Sequence, residues 1–261
     1  MKKSLIALAM ITIAFPGVVI ADWVQGGSVG TVEFGGKLIP STTDSPWEVM
    51  VGDAVSGLDA NAETGQTVVT IPVSTVIPVL GIRNTDARTF VGQSGVSPQI
   101  DFNGAIDTSA FSAGRTTLTL EVKNTSQEVI GSLSTDFTAV AERSFFNDTA
   151  PSGRARSLYA PEGGYAFYGG IASTYGGALY TEEVYALAAE LIPDVLDNYE
   201  RAAVVRTTPV TGDFSDTDTT FSGYYASGIQ AGENITIILN EGVSGNSINW
   251  SASLPVTVTY M

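Results

Sequence analysis

The amino-acid sequence predicts an all-β protein folded as a β-sandwich, with one short helical segment inserted between strands. Apolar and polar residues alternate with a period of two in several short segments. Charged residues make up only 15% of the 261 residues, while 28 are glycine. Turn-forming pairs such as Gly35-Gly36 and Asn103-Gly104 separate the alternating segments. Short strands with frequent turns and no internal repeat are typical of a sandwich.

Two internal segments carry a clear strand pattern. Residues 117–123 alternate throughout and place Leu118, Leu120 and Val122 on one face, and residues 233–240 form a second strand of this kind. Both are therefore predicted to bury one face against the core.

A third strand is predicted within residues 66–77, which are rich in β-branched side chains. Pro72 and Pro78 lie within or just after this segment. Because proline has no N–H to donate to a sheet, the strand is predicted to lie at a sheet edge or to bend.

The period becomes helical between residues 181 and 206. Thr181 is the predicted N-cap, and Pro193 is predicted to end the first helix and to begin a second one. The apolar stripe of the first helix comprises Val184, Leu187, Ala188 and Leu191. The second helix is predicted to carry Val195, Leu196, Tyr199 and Ala203. Both stripes are interpreted as packing against the core.

Residues 1–21 have the pattern of a cleavable secretory signal. Lys2 and Lys3 precede a short apolar run, and Val19-Ile20-Ala21 fits a cleavage site before Asp22. The run is too short to cross a bilayer, so a membrane anchor is disfavoured. Cleavage removes two lysines and changes the formal charge from −15 to −17. Such an acidic chain would repel nucleic acid, which we exclude as a partner.

The sequence contains no cysteine and no histidine. No disulfide is therefore expected, and neither a Ser-His-Asp nor a Cys-His catalytic device can be assembled. We expect no cofactor and no metal. A hydrolase that uses carboxylates alone stays open as an alternative, because glycosidases work in this way.

The expected mature N-terminus, residues 22–39, alternates like a strand but is rich in glycine. The face that would be buried comprises Gly30, Val32, Phe34, Gly36 and Leu38. Glycine weakens an ordinary strand but lets another backbone approach closely. The segment is either a frayed first strand or a donor strand that pairs with a neighbouring subunit.

The C-terminal segment, residues 254–260, also alternates up to the chain end. Its predicted inward face comprises Leu254, Val256, Val258 and Tyr260. A last strand that stops abruptly leaves a sheet edge that must be covered. We expect this strand to contact a periplasmic chaperone first and the arm of a neighbouring subunit later.

Short groups of residues along the whole chain match the pattern of one known protein family, and they occur in the same order as in that family. They are Met1 to Ala9, Trp23, Gly26, Gly30, Val32, Gly35-Gly36, Trp47-Glu48, Val51-Gly52, Pro98-Gln99-Ile100, Phe102, Ser157 to Ala160, Phe167 to Gly170, Tyr225-Ala226, Gly228-Ile229, Trp250 to Ala252, Leu254 and Thr259-Tyr260. In these positions the chain resembles the FaeG-type major adhesive subunits of the kappa clade of chaperone–usher fimbriae.

The resemblance implies an incomplete immunoglobulin-like sandwich that lacks its last strand and is completed by the arm of the next subunit. Residues 40–261 would form this pilin domain, with an inserted aromatic and helical receptor-binding segment at about residues 145–210. It further implies a major subunit that is itself a lectin-like adhesin for host glycoconjugates. The implied partners are identical subunits, a periplasmic chaperone and an outer-membrane usher, and the implied destination is a cell-surface fimbria.

The resemblance places a glycan site beside the insertion. The family uses an aromatic residue in a Ser-Leu-aromatic-Ala stretch, which matches Tyr159, and an arginine where this chain has Gly164. Tyr165, Tyr168 and Arg154 are further candidates for this site, whereas Phe167 is expected in the core. A minor fimbrial subunit stays open as an alternative function.

Overall fold

The computed structural model describes residues 45–245 and 247–261, so the predicted signal (1–21) and arm (22–39) lie outside the described residues. The described chain forms eleven strands and one α-helix. The strands are β1 (Trp47–Val51), β2 (Val68–Pro72), β3 (Ile77–Asn84), β4 (Phe90–Val91), β5 (Pro98–Asp101), β6 (Arg115–Lys123), β7 (Val129–Asn147), β8 (Ala150–Ser157), β9 (Thr220–Ile229), β10 (Asn234–Leu239) and β11 (Thr257–Tyr260). The helix is α1 (Thr181–Leu191).

The strands form two antiparallel sheets that enclose a common core. The larger sheet has the order β1-β3-β9-β7-β10-β2, with β4 paired to β9 and with β6 and β8 paired to β7. The smaller sheet pairs β11 with β5. Ile100 and Val258 of the smaller sheet pack in the same cluster as Leu80, Ile82 and Phe137 of the larger one. The predicted all-β sandwich is confirmed.

The predicted strands appear with small changes at their ends. Leu118 and Val122 of β6 are buried and Leu120 is half-buried, so the predicted inward face is correct. Strand β10 covers most of residues 233–240. Strand β2 lies at the edge of the larger sheet and ends at Pro72, as the two prolines predicted.

Strand β7 is 19 residues long and pairs with four other strands. Its first half pairs with β6 and β10, and its second half pairs with β8 and β9. The inserted chain between β8 and β9, which contains α1, packs on this second half.

The first predicted helix is confirmed, and its stripe is buried. Val184, Ala188 and Leu191 pack in one cluster with Val140 of β7 and Tyr224 of β9. The N-cap position is occupied by Tyr180 rather than Thr181, because the helix begins at Thr181, one residue earlier than predicted.

The predicted second helix is wrong, because residues 193–198 form turns. Hydrogen bonds between residues i and i+3, which are typical of turns, run from Val195 N to Ile192 O, from Asp197 N to Asp194 O and from Tyr199 N to Leu196 O. These turns bury Val195 and Tyr199 against the same cluster as α1. The spacing therefore correctly predicted the burial of Val195 and Tyr199, but turns rather than a helix produce it.

A buried polar network attaches the insertion to β7. The fully buried Glu142 accepts hydrogen bonds from Arg201 Nε at 2.9 Å and Nη2 at 3.1 Å, and from Tyr199 Oη at 2.8 Å. Tyr199 Oη lies 2.7 Å from Ser144 Oγ, which accepts from Ala202 N at 2.9 Å. Burial raises the pKa of Glu142, and the bonds from Arg201 and Tyr199 oppose part of that shift.

The substitution Arg201→Ala is expected to destabilise the fold by about 2–3 kcal/mol at neutral pH. Removing one partner of a fully buried pair costs roughly 3–5 kcal/mol, and the smaller figure allows for the partial exposure of Arg201. The loss should shrink as the pH falls towards about 4, because a protonated Glu142 no longer needs a cation.

Urea unfolding at the two pH values measures this effect. The control is Arg115→Ala, which removes the exposed pair with Glu233 and should cost about 0–1 kcal/mol at either pH. An equal loss for both variants would contradict the proposed anchoring of the insertion.

Candidate assembly groove and binding surface

A groove of about 920 Å³ opens along the apolar cluster of β2, β10 and the first half of β7. Its floor is formed by buried strand residues, namely Val69, Ile71, Leu133, Ile235, Ile237 and Leu239. One side is formed by residues 51–62 and the other by residues 247–256, including Trp250, Leu254 and Val256. The groove therefore exposes the interior surface of the sandwich between two chain segments.

Both sides of the groove carry unpaired backbone. Within the described chain, residues 53–62 and 252–256 make no backbone–backbone hydrogen bond. The first segment is bracketed by bonds from Gly52 N to Val79 O and from Gly65 N to Val243 O. Apolar surface flanked by free N–H and C=O groups is the kind of site to which an extended chain adds as a strand.

The C-terminal segment is less regular than predicted. Strand β11 covers only 257–260, and the preceding residues line the groove without strand pairing. Leu254, Val256 and Val258 are half-buried against the main core, as their alternation predicted. Tyr260 instead leaves 37% of its surface exposed and does not pack in this core.

The predicted glycan-site tyrosines fall into two groups. Tyr159 follows β8 and is half-buried, and its ring meets that of Tyr175 edge-on, with the centroids 6.1 Å apart. Tyr175 and Tyr180 are 44% and 52% exposed. A hydrogen bond with the Tyr180 hydroxyl raises the pKa of Tyr175, so the two hydroxyl groups are adjacent. We name Tyr159, Tyr175 and Tyr180 the tyrosine cluster.

Tyr165 and Tyr168 lie instead beside β5. Gln99 Nε2 donates to Tyr165 O at 3.0 Å, and Ile100 N donates to Tyr168 O at 2.8 Å. Among the described residues no ring contact joins either tyrosine to Tyr159. The chain doubles back between the two groups, so proximity in sequence does not bring the rings together.

The glycine that departs from the family pattern has a backbone reason. Gly164 has a φ of +95°, a conformation that glycine adopts far more readily than other residues. Its N–H donates to Gln99 Oε1 at 3.0 Å. An arginine here would strain this turn. Phe167 is fully buried, as predicted.

Arg154 lies on β8 opposite Phe145 of β7. Tyr175 and Tyr180 were not among the residues that were predicted from the sequence for the glycan site. The glycines after Tyr175 and the glutamates after Tyr180 indicate a turn and a helix start, and both are places where a large side chain stays exposed.

No group of three or more potential metal ligands occurs in residues 45–245 and 247–261. The helix that the structure describes is too short to cross a bilayer.

Comparison with known proteins identifies the relatives of this chain. A family model described as "Fimbrial, major and minor subunit" matches residues 1–261. The chain is 31% identical to K88 fimbrial protein AB of Escherichia coli, 30% identical to K88 fimbrial protein AD and 29% identical to K88 fimbrial protein AC, each across the full length of both chains. The chain belongs to this family of fimbrial subunits and is a structural component of a surface fibre.

Proposed function

We propose that this fimbrial subunit polymerises by donor-strand exchange, with residues 22–39 of one subunit filling the groove of the next. The observation that carries the proposal is the apolar groove of about 920 Å³ between two segments of unpaired backbone. An added strand would satisfy those backbone groups and cover the exposed interior surface.

The composition of the arm suits this groove. Val32 and Phe34 are two of the three large residues of its apolar face, the third being Leu38, and Gly30 and Gly36 allow close backbone approach. Burying Val32 and Phe34 would contribute roughly 3–6 kcal/mol, at about 1.5–3 kcal/mol for each side chain. Backbone hydrogen bonds along the groove would add to this affinity.

The same groove implies a chaperone before assembly. A subunit with an open apolar groove would aggregate in the periplasm unless another protein covered it. Leu254, Val256, Val258 and Tyr260 are the residues proposed to contact such a chaperone. Delivery through an outer-membrane usher to the cell surface completes the proposed route.

We further propose that the subunit is a lectin-like adhesin that binds host glycans at the tyrosine cluster. Aromatic faces stack on the C–H faces of sugar rings, and tyrosine hydroxyls can donate to sugar oxygens. Tyr175 and Tyr180 are exposed, and their hydroxyl groups interact closely enough to raise the pKa of Tyr175. The half-buried Tyr159 packs edge-on against the ring of Tyr175 and thereby helps to hold that ring in place.

The substitution Phe34→Asp is expected to abolish fibre formation, because it places an unpaired charge in the groove. The matched control is Glu33→Ala, which changes the opposite face of the arm and should leave fibre yield near the wild-type level. Fibre yield and secreted subunit are measured in parallel. Equal polymerisation of both variants would exclude the proposed register of the arm.

Residues 40–261 expressed without the arm are expected to aggregate or to be degraded. A peptide of residues 22–39 should rescue this chain and raise its melting temperature, whereas the same peptide with Phe34→Asp should not. A stable monomer that needs no peptide would rule out a missing strand.

The substitution Tyr175→Ala is expected to lower adhesion about five-fold while fibres still form, since aromatic contacts of this kind contribute on the order of 1 kcal/mol. Tyr168→Ala, which removes a similarly exposed ring beside β5, is the control. Adhesion is measured by binding of purified fibres to a glycan array. Loss of adhesion only in the Tyr168 variant would move the site to the β5 group.

A further inference from the structure

Four arginines lie side by side on one face of the second half of the sheet. Arg143 of β7 is directly paired with Arg156 of β8. Ala155 forms a parallel bridge with Val205, which places Arg206 next to Arg156 on the same face. Arg154 lies two residues before Arg156 and shares that face. We name these four residues the arginine row.

The row differs from every other cation in the described chain. Nine of the 12 Lys and Arg residues lie in residues 45–245 and 247–261. Five of them form ion pairs with carboxylates, namely Arg83, Arg88, Arg115, Lys123 and Arg201. The four that form none within the described residues are those of the row. In a chain of net charge −15, this concentration of unpaired positive charge is unexpected.

The row is also costly for the fold. Like charges directly opposite each other in a sheet are destabilising. Arg143 is enclosed between the rings of Phe145 and Phe221, at 5.6 and 5.5 Å from its guanidinium carbon, and donates to the backbone oxygen of Asp213. Its Nε is buried and has no partner among the described residues. Burial lowers the pKa of Arg143 to about 10. The nearby Asp213 carboxylate opposes part of this shift and the neighbouring Arg156 adds to it, and Arg143 stays charged at neutral pH.

The surroundings compensate this charge only in part. The Asp213 carboxylate lies close enough to raise the pKa of Arg143 but forms no ion pair with it, and its Oδ1 accepts from Ser215 N at 3.0 Å and Ser215 Oγ at 2.8 Å. Arg156 Nη1 donates to the neutral Thr208 hydroxyl at 3.0 Å. Glu142, the adjacent residue of β7, points to the other face of the sheet and is already paired with Arg201.

We propose that the arginine row is an oxyanion-binding subsite for the sulfate or carboxylate group of an acidic saccharide. This inference rests on the proposed saccharide binding and names a charge class for the ligand. Guanidinium groups offer forked donors that match planar carboxylates and the oxygens of sulfate.

The size of the row supports a saccharide. Neighbouring strands lie about 4.8 Å apart, so β7, β8 and the bridged segment at Val205 together span about 10 Å, the dimension of one or two sugar units. Four side chains are far fewer than the roughly 20–30 residues that each partner contributes to a stable protein interface. Phe145, half-buried beside Arg143 and Arg154, adds an apolar surface next to the charges.

The experiment measures binding of purified fibres to a neutral disaccharide, N-acetyllactosamine, and to the same disaccharide with one sulfate or one sialic acid. Wild-type fibres are expected to bind a charged form about five-fold or more tightly than the neutral form. This preference should fall when NaCl is raised from about 50 to about 500 mM, because salt screens exposed charges.

The double variant Arg156→Gln/Arg206→Gln is expected to lose this preference and to keep binding of the neutral form. Its control is Arg88→Gln/Arg115→Gln, which removes the same charge from two exposed arginines that have carboxylate partners. The control should keep the preference. The single variant Arg206→Gln, at the exposed end of the row, should lower the preference if the double variant fails to fold.

Equal binding of neutral and charged forms by wild-type fibres would overturn the arginine row as a subsite while the proposed adhesin function stands. Absence of binding to all three saccharides would overturn both. Normal secretion of the double variant without fibre formation would show that the row contacts a neighbouring subunit, which also overturns the saccharide assignment.

Discussion

Strand β7 is the element on which the rest of the molecule depends. Its first half has one face in the core and one face in solvent, so that Leu133, Thr135 and Phe137 are buried while Ser132 and Asp136 are exposed. In the second half, from residue 138 to residue 142, both faces are buried because the insertion covers the outer face. One continuous strand therefore connects the groove at one end with the inserted segment at the other.

The period of two in β7 also separates opposite charges. Glu142 and Arg143 are adjacent in sequence but face opposite sides of the sheet. On the insertion side, Glu142 is compensated by Arg201 and Tyr199, which fixes the chain after α1. On the other side, Arg143 meets further arginines. The fold thus pairs its buried carboxylate with several ordered polar groups, whereas among the described residues the arginines on the opposite face form no ion pair with a carboxylate.

The elements that could be predicted from sequence are those whose pattern is set by local burial. Apolar residues alternate along strand β6 and recur with the helical period along α1, because each element has one buried face and one exposed face. After Pro193 the spacing correctly predicted that Val195 and Tyr199 are buried. The predicted helix was wrong, because the turns that bury them depend on contacts of the whole insertion, which short-range spacing does not encode.

The candidate site was predictable only in part for the same reason. Leu254 and Val256 line the groove as their alternation indicated. The tyrosines of residues 159–168 are close in sequence but separated in space, because Gly164 and the buried Phe167, both at positive φ, turn the chain towards β5. The contact between Tyr159 and Tyr175 and the pairing of Arg143 with Arg156 depend on topology, and no single segment reveals them.

The proposed function explains why the groove and the proposed ligand-binding residues lie on different parts of the molecule. The groove uses the first half of β7, whereas the tyrosine cluster and the arginine row lie around its second half and the insertion. Substitutions that alter ligand choice can therefore occur without changing the surface that joins subunits. In a fibre, every copy would present its own shallow surface, and linking many weak sites can raise overall avidity by about 10²–10⁴ over a single site. A polymeric adhesin consequently does not require a deep pocket, and exposed tyrosines and a short row of arginines on each subunit would be sufficient for firm attachment.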